Sequence, residues 1–524
     1  MSSIERIDSG IGRRPLHGIA SLRRSEALAL AGVAPFTLMA RAGDAVARLA
    51  LAVAPHARRV VVFAGPGNNG GDGIEAASRL QAFGKPVRVV LVAAPDKLPA
   101  DAARALERAR AAGVECRSFG DRDGILDGAD GTDGDDDDDC DLVIDALLGI
   151  GATRPPDGAI GRAVDCIARF AARGAQVLAV DAPTGLDSER GSVAGCAVVA
   201  TDTLSLLALQ PGLLTGAGRD HAGRLWLATL GPHDGAAEVA PDAWLVGRGD
   251  LTCAAAPRRH AQHKGSFGDV AVVGGASGMA GAAWLAARAA LAAGAGRVFV
   301  DLLGADAVNA PLNTDAVDPI RPELMLRGGW WRADAAVLAA ATVVCGCGGG
   351  AAVRAALPRL LSTAKRLVLD ADALNAVAAD TALQSLLAAR HGRGLSTVLT
   401  PHPLEAARLL GSDTARVQAD RLAAARGLAE RYRSVVVLKG SGTVIAAPNA
   451  LARIGATGNA SLASAGTGDV LAGWLGGRWS SSAADAFDAA TRAVIEHGAA
   501  AEPERPGAVR AADLIELLHM RSRA

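Results

Sequence analysis

Short apolar runs of strand-like composition alternate with helical patterns through both halves of this 524-residue chain. In the first half the runs lie at 59–64, 86–92, 141–145 and 176–181, with helical patterns at 74–83 and 101–112. In the second half they lie at 269–273, 296–301, 341–345, 366–370, 396–400 and 434–439, with helical patterns at 280–293, 351–361 and 404–410. Strands that alternate with helices pair in parallel and carry helices on both faces. The sequence therefore predicts two α/β domains with mainly parallel central sheets.

The composition changes near residue 231, where Gly, Pro, Asp and Ala accumulate between the two series. We expect a first domain at 1–232, a linker at 233–245 and a second domain at 246–524. Residues 1–57 have apolar positions three and four apart and are predicted to be helical. The aspartate-rich stretch 130–141 lacks the ordered ligand spacing of a calcium loop, so it is predicted to be a solvated, mobile insertion.

Composition excludes several classes of function. The net charge is −1, which gives no general attraction to nucleic acid or to an anionic membrane. No apolar run reaches the roughly 18 residues of a membrane span, and the first residues lack the pattern of a signal peptide. The seven cysteines form no C-x-x-C pair and no cluster with histidine, which argues against a structural zinc site or a disulfide framework. We expect a cytoplasmic homo-oligomer without nucleic-acid or membrane partners.

The first domain has a glycine-rich turn between a predicted strand and a predicted helix. Residues 65–70 fit G-x-G-x-x-G, a weak signal that a phosphate-bearing ligand approaches the backbone. Asn68, Asn69 and Asp72 add amide and carboxylate oxygens that such a turn does not need. These oxygens could coordinate a hard monovalent or divalent cation.

Further polar residues follow the next two predicted strands. Asp145 ends the third strand, and Asp181 with Thr184 follows the fourth. The carboxyl ends of parallel strands meet at one edge of a sheet, where ligands bind in open α/β folds. Asp181 is therefore a candidate functional carboxylate, and a turn-capping role is the alternative.

The second domain carries its strongest candidate site at residues 466–469, Gly-Thr-Gly-Asp. Apolar residues recur at helical spacing after it, so a helix is predicted to begin at or just before Asp469. The N–H groups that open a helix bind anions such as phosphate. A carboxylate there would repel phosphate unless it accepts a proton from a hydroxyl during phosphoryl transfer. These residues alone leave two roles for Asp469, that of a catalytic base and that of a helix N-cap.

Five motifs of the first half, spread over residues 20–230, occur in the order of the NAD(P)H-hydrate epimerase domain, a Rossmann-like fold. They lie at 38–43, 68–73, 145–151, 181–187 and 210–216. The resemblance implies contacts with the hydrated nicotinamide nucleotide from Asn68, Asn69, Gly70, Gly71, Asp72, Gly149, Ile150, Gly151, Ala152, Thr153, Arg154 and Pro155. It also implies potassium ligands at Asn69, Asp145 and Thr184, and a catalytic acid/base at Asp181. The family usually has Ser where this chain has Thr184.

Six motifs of the second half resemble the ADP/ATP-dependent NAD(P)H-hydrate dehydratase domain, a ribokinase-like fold, over about 250–520. They lie at 263–268, 274–283, 369–375, 400–405, 439–443 and 466–469. The resemblance implies an adenine nucleotide held by Lys439, Gly440, Ser441, Gly442, Thr443 and Gly468. It implies a hydrate held by Ala282, Gly348, His402 and Asp469. Residues 346–350, Gly-Cys-Gly-Gly-Gly, depart from the family's usual Gly-Pro-Gly-Leu-Gly.

The combined resemblance favours catalysis by Asp469. It implies that phosphate is transferred from a nucleotide to the hydroxyl of the hydrated ring and then eliminated, because phosphate is a far better leaving group than hydroxide. Magnesium and ADP are the implied requirements, and ADP is chosen because fused, untargeted proteins of this kind look bacterial. His402, between two prolines, and Lys439, at the end of a hairpin strand, also have structural interpretations.

Our hypothesis is a metabolite-repair enzyme that epimerises R- and S-NADHX and NADPHX and dehydrates the S form. Three alternatives remain at this point. The second domain could be a small-molecule kinase of the ribokinase type. The first could be a dehydrogenase, although no acidic residue follows residues 65–70 at the spacing that ribose recognition needs. The first could also be a non-catalytic regulatory module.

Overall fold

The computed structural model describes residues 3–120, 140–151, 154–231, 238–251, 258–303, 318–502 and 507–522. The chain divides into two compact units, residues 1–8 with 15–243 and residues 9–14 with 244–524. Most of the aspartate-rich stretch 130–141 lies outside the described residues. The linker predicted at 233–245 is described only from residue 238, and its last residues enter a strand.

An eight-stranded sheet forms the centre of the first unit, in the order β1-β9-β8-β7-β6-β3-β4-β5. All neighbouring pairs are parallel except the antiparallel pair of β1 and β9. A further short strand, β2, is Arg14–Leu16. The strands of the sheet are β1 (Ile4–Ile7), β3 (Val60–Ala64), β4 (Val87–Leu91), β5 (Glu115–Ser118), β6 (Leu142–Ala146), β7 (Gln176–Val180), β8 (Asp202–Leu206) and β9 (Arg224–Ala228).

The helices of the first unit correct two sequence predictions. They are α1 (Ile19–Ala31), α2 (Thr37–Val53), α3 (Asn68–Ala82), α4 (Ala100–Ala111), α5 (Gly158–Ala172) and α6 (Gly218–His221). The prediction that residues 1–57 are helical is wrong for the first part, because β1 and β2 precede α1. The helix predicted to start at Ile74 starts at Asn68, because the glycine-rich segment forms the first turns of α3 and does not remain a loop.

Strands β5, β8 and β9 were not expected from the sequence. Strand β8 is buried but contains polar residues, so it lacks the continuous apolar run typical of a central parallel strand. Each polar side chain has a partner nearby: Asp202 accepts from Arg224 and Trp226, and Thr203 donates to a backbone carbonyl. Buried polar groups are tolerated when they are hydrogen-bonded.

The second unit also has a mainly parallel sheet, in the order β13-β12-β11-β14-β15-β16-β17-β18-β19-β10. Only β18 is antiparallel to its two neighbours, β17 and β19. The strands are β10 (Ala243–Val246), β11 (Asp269–Gly274), β12 (Arg297–Leu302), β13 (Met325–Leu326), β14 (Thr342–Cys345), β15 (Arg366–Leu369), β16 (Ser396–Leu399), β17 (Val435–Leu438), β18 (Val444–Ala446) and β19 (Arg453–Gly455). The six strands predicted for this half are confirmed within one or two residues.

Helix α15 (Thr467–Ser480) is almost wholly buried and positions the predicted site of the second unit. It packs closely on α7 (Ala280–Ala292), where a Cβ atom at Gly473 would lie 2.0 Å from the Ala286 carbonyl oxygen. The prediction that a helix begins just before Asp469 is confirmed. The helices of this unit are α7 (Ala280–Ala292), α8 (Ala335–Ala340), α9 (Val353–Thr363), α10 (Ala371–Ala378), α11 (Thr381–Ala389), α12 (Pro403–Leu410), α13 (Thr414–Ala419), α14 (Arg421–Tyr432), α15, α16 (Ala486–Ala500) and α17 (Ala511–Arg521).

The predicted fold class, α/β with mainly parallel sheets, is therefore confirmed in both units. Across the ranges that the structure describes, no helix is long and apolar enough to cross a membrane.

Candidate active sites

A cavity of about 510 Å³ in the first unit brings seven of the predicted epimerase residues together. The start of α3 and the loops after β6 and β7 contribute to its lining. The lining includes Asn68, Asn69, Asp72, Gly149, Ile150, Gly151 and Asp181. The polar residues after separate strands therefore meet at one edge of the sheet, as the parallel order requires. A second cavity of about 820 Å³, near Phe36 and Arg41, contains none of them.

Asp181 is held rigidly at this cavity. Its backbone lies in the left-handed region at φ 66°, a conformation rare outside glycine. Its Oδ1 atom accepts hydrogen bonds from the Leu206 N–H at 3.3 Å and from Gln210 Nε2 at 3.0 Å. Burial raises the pKa of Asp181 to about 6, although these two donors oppose the shift. A carboxyl group with such a pKa exchanges protons near neutral pH.

A second carboxyl group, Asp72, lies at the same cavity. Burial raises its pKa well above the ordinary value, and the nearby carboxylates of Asp181 and Glu26 add to the shift. The charge of Asp181 therefore disfavours ionisation of Asp72 at the same cavity.

Asp145 and Thr184 form a buried pair beneath the cavity. Thr184 donates to Asp145 from its hydroxyl at 2.7 Å and from its backbone N–H at 2.8 Å. Burial raises the pKa of Asp145 to about 6, against the effect of these bonds. Neither side chain lines the cavity, but the Leu148 N–H donates to the Thr184 hydroxyl at 3.1 Å and so ties the pair to the cavity loop.

The three residues predicted to bind potassium fit a hard cation by their chemistry. They offer a carboxylate, a hydroxyl and an amide, all with oxygen donors. The Asn69 Nδ2 atom is buried and has no hydrogen-bond partner among the described residues. Rotation of the Asn69 amide by 180° would bring its oxygen, a cation ligand, to this unpartnered position.

The remaining predicted residues of the first unit have other surroundings. Gly70 and Gly71 allow close packing, since a Cβ at Gly70 would lie 2.2 Å from the Gly65 carbonyl oxygen and one at Gly71 2.5 Å from Met39 Cε. Arg154 and Pro155 are exposed. Ala152 and Thr153 lie outside the described residues.

In the second unit, Asp370 joins side chains that follow three neighbouring strands. Its Oδ1 atom lies 2.7 Å from Lys439 Nζ and accepts a hydrogen bond of 2.7 Å from the Thr400 hydroxyl. Burial alone would lower the pKa of Lys439, but the carboxylates of Asp370 and Glu405 outweigh it and raise the pKa. Lys439 is therefore a fixed positive charge at this edge of the sheet.

Asp469 lies in the first turn of α15, beside this network. Its carboxylate, the Cys347 Sγ atom and the Asp370 carboxylate lie within 4.8 Å of one another. Burial, followed by the charge of Asp370, raises the pKa of Asp469 to about 6. At Gly468, a Cβ would lie 3.2 Å from Lys439 Nζ, so the two residues predicted to bind nucleotide are adjacent. A proton acceptor, a cation and a helix N-terminus thus share one site.

The loop that contains Gly348 depends on glycine. Gly348 has φ +58°, and a Cβ there would lie 2.6 Å from the Met279 carbonyl oxygen and 2.9 Å from Ala282 Cβ. The structure therefore places Gly348 against Ala282, as the predicted hydrate site requires.

His402 is the N-cap of α12. The ring Nδ1 atom accepts hydrogen bonds from the backbone N–H groups of Leu404 and Glu405. The backbone N–H of His402 donates to the Glu405 carboxylate at 2.8 Å. Burial and then the charge of Lys439 lower the pKa of His402, while burial raises that of Glu405 to about 7. Because the Nδ1 atom accepts two N–H groups it carries no proton in this arrangement, and the ring Nε2 atom lies 3.2 Å from Glu405 Oε1. His402 therefore has a structural role as the N-cap of α12, and a ligand contact stays a prediction.

Residues 439–443, Lys439, Gly440, Ser441, Gly442 and Thr443, connect β17 to β18 as a hairpin. The buried guanidinium of Arg421 donates to the carbonyl oxygens of Leu438 and Lys439, and Gly440 adopts φ +130° against it. The hairpin predicted from the sequence is therefore present, and Arg421 supports its first residues.

Two family models match the chain. One, described as the YjeF-related protein N-terminus, covers 35–212, and one described as NAD(P)H-hydrate dehydratase covers 270–519. The bifunctional NAD(P)H-hydrate repair enzyme of Escherichia coli K12 is 37% identical over 490 residues, 91% of this chain and 87% of the relative. The chain belongs to the family of bifunctional NAD(P)H-hydrate repair enzymes. The resemblance inferred from its motifs is confirmed.

A second repair enzyme and one solved structure are also similar to this chain. The Coxiella burnetii enzyme is 34% identical over 87% of this chain and 88% of its own length. A solved structure of an ADP/ATP-dependent NAD(P)H-hydrate dehydratase from Bacillus subtilis, co-crystallised with ATP/Mg2+, is 30% identical, with a TM-score of 0.43. It covers 52% of this chain and 95% of that one.

Sequence reasoning missed several residues of the two sites. Glu26 lines the first cavity but lies in no motif, and Gln210, which donates to Asp181, was seen only as the first residue of the motif at 210–216. In the second unit Asp370 and Thr400 were seen only as parts of motifs. Their position at strand ends was a usable signal, because strand ends in parallel sheets face ligands.

Proposed function

We propose that this repair-family chain restores NADH and NADPH from their hydrates through two activities in one polypeptide. The observation that carries the proposal is that each unit holds an aspartate with a pKa raised to about 6 by burial, Asp181 buried and Asp469 half-buried, at the ligand-binding edge of its sheet. We assign the epimerase to residues 1–232 and the dehydratase to 246–524.

In the first site Asp181 exchanges the proton that epimerisation requires. Protonated Asp181 donates to the hydroxyl of the hydrate, the ring nitrogen expels water, and water returns to the other face as Asp181 takes back a proton. Gln210 and the Leu206 N–H orient Asp181 for both steps. Asn69, Asp145 and Thr184 would hold K+, which supplies fixed positive charge to the site.

In the second site Asp469 accepts the proton of the hydrate hydroxyl as that oxygen takes a phosphoryl group from ADP. The N–H groups at the start of α15 and the Lys439 ammonium stabilise the negative charge on the transferring group. Phosphate then leaves with the electron pair of its bond to the ring carbon, the neighbouring ring carbon releases a proton to water, and the dihydronicotinamide is restored. AMP and phosphate are the other products, and Mg2+ would neutralise charge on the nucleotide phosphates.

The finer assignments belong to the same proposal. We infer ADP as the phosphoryl donor, NADHX and NADPHX as substrates, a cytoplasmic location and a homo-oligomeric assembly. The residues 439–443 with Gly468 hold the nucleotide, and Ala282, Gly348 and His402 hold the hydrate beside Asp469.

Product stoichiometry tests this function against a ribokinase-type kinase. Purified S-NADHX, Mg2+ and either ADP or ATP are added to the full chain, and reduced nicotinamide and free phosphate are measured together. The proposal predicts one phosphate for each NADH formed, with ADP as donor. A stable phosphorylated product without NADH would overturn it in favour of a kinase.

A further inference from the structure

Three side chains able to bind a metal converge in the second unit from three separate segments. They are the Cys347 thiol, in the loop after β14, and the carboxylates of Asp370, before α10, and Asp469, in α15. All lie within 4.8 Å of one another, a spacing that small side-chain rotations bring to the coordination sphere of one ion. The proposed reaction uses the two aspartates but gives the thiol no role.

The Asp370 oxygen that faces the Cys347 sulfur is not the one that binds its other two partners. Asp370 Oδ1 is engaged by Lys439 and Thr400, whereas Oδ2 faces the Cys347 Sγ atom at 3.9 Å, a long contact even for sulfur. The Cys347 side chain is fully buried, so its sulfur points at the two carboxylates and not at solvent.

The backbone holds the thiol in place without a metal. The Gly275 N–H donates to the Cys347 carbonyl oxygen at 2.9 Å, and the Gly346 N–H donates to Val273 at 3.0 Å. A Cβ at Gly274 would lie 2.3 Å from the Cys347 carbonyl oxygen, which shows how closely the two loops pack. Ligands fixed in this way bind an ion with little reorganisation.

We propose that Cys347, Asp370 and Asp469 form a binding site for a thiophilic divalent cation such as Zn2+ or Cd2+, and that its occupation inhibits the dehydratase. On binding, the thiol releases its proton to solvent, one metal–sulfur and two metal–oxygen bonds form, and no redox step occurs. Inhibition follows because the ion takes the Asp469 carboxylate that accepts the substrate proton.

Selectivity for such ions follows from the sulfur. Mg2+ prefers an all-oxygen octahedral shell, while thiolate ligands favour Zn2+ and Cd2+. Cys347 also stands where the family's usual motif has proline, so the inferred sensitivity is a property of this chain and not of the repair reaction. The inhibitory part rests on the proposed dehydratase function, but the binding part does not.

Cobalt provides a direct test of binding, because thiolate ligation of Co2+ gives a charge-transfer band in the near ultraviolet. The full chain is titrated with Co2+ as wild type, C347A and C345A. Cys345 is a matched control, since it is free, fully buried and two residues away in β14. We expect the band in wild type and C345A and its loss in C347A. A wild type without the band overturns the site, and C347S replaces C347A if the alanine variant does not fold.

Inhibition is then measured with Zn2+ at saturating Mg2+, relative to each variant's own uninhibited rate. We expect the half-inhibiting Zn2+ concentration to rise at least about tenfold in C347A and to stay at the wild-type value in C345A. Epimerase activity in the same sample should not respond. Equal sensitivity of C347A and wild type overturns inhibition through this site. A cobalt band without any NADH recovery would retain the site and refute the proposed function.

Discussion

Lys439 Nζ lies 2.7 Å from Asp370 Oδ1, and the Asp370 side chain is only 2% exposed. This ion pair links the end of β17 to the start of α10 beside Asp469. It also sets the charges that surround the proposed phosphoryl-transfer site, since the Asp370 carboxylate raises the pKa of both Lys439 and Asp469.

Removing one member of this pair is expected to destabilise the second unit. Lys439→Met leaves the Asp370 carboxylate buried without its counter-charge, a change that costs about 3 kcal/mol. The double variant Lys439→Met/Asp370→Asn should be more stable than the sum of the single variants predicts. Urea unfolding followed by tryptophan fluorescence reports this unit, because six of the seven tryptophans lie after residue 243. Lys365→Met, at an exposed position, is the control. Strict additivity would contradict the coupling.

The dehydratase should lose activity in acid. Asp469 can accept a proton only when ionised, and its pKa is raised to about 6. As the pH falls below about 6, the protonated fraction grows, and kcat/KM should fall about tenfold for each further pH unit. The measurement is the pH profile of kcat/KM for S-NADHX with ADP. A profile that stays flat down to about pH 5 would show that Asp469 is not the base.

Sequence patterns predicted the second unit better than the first. Strands β11, β12, β14, β15, β16 and β17 are short apolar runs bounded by turns, so their period and their ends were both visible. Strand β8 was missed because Asp202 and Thr203 interrupt its apolar run, and their burial is explained only by partners about 20 residues away. The start of helix α3 was predicted too late, because its first residues, Asn68 to Gly73, have a weak helix propensity that the fold overrides.

Site residues were likewise predictable only where the local sequence pattern was visible. Asp181 and Asp469 were found because each follows a recognisable strand or opens a recognisable helix. Gln210 was recognised only as the start of the motif at 210–216, because its contact with Asp181 spans 29 residues and depends on the turn after β8. The position of Cys347 beside two aspartates could not be read from its own loop, since Asp370 and Asp469 come from distant segments.

The hydroxyl of Thr184 is expected to contribute more to K+ binding by the epimerase than its methyl group does. Thr184→Ser keeps the hydroxyl that donates to Asp145 at 2.7 Å, whereas Thr184→Val leaves a buried carboxylate with one donor fewer. Thr184→Val should raise the K+ concentration needed for half-maximal epimerase activity, and Thr184→Ser should not. The test titrates KCl at constant ionic strength with NaCl. The same K+ requirement in both variants would remove Thr184 from the proposed ion site.

Gln210 is expected to act through Asp181. Its amide favours the ionised carboxylate, so Gln210→Leu should raise the pKa of Asp181 and lower epimerase kcat by roughly tenfold. The decisive readout is the pH profile, whose midpoint should move upward. Gln81→Leu, at a partly exposed position in α3, is the matched control. A slower enzyme with an unmoved midpoint would mean that Gln210 only supports the fold.

The central claim is that two separate aspartates perform two consecutive reactions in one chain. The most direct measurement follows recovery of reduced nicotinamide absorbance after Mg2+ and ADP are added to an R/S mixture of NADHX. Wild type should recover all of the absorbance, Asp181→Asn only the S fraction apart from slow spontaneous epimerisation, and Asp469→Asn none. Full recovery at the wild-type rate by either variant, with its fold retained by circular dichroism, would contradict the account.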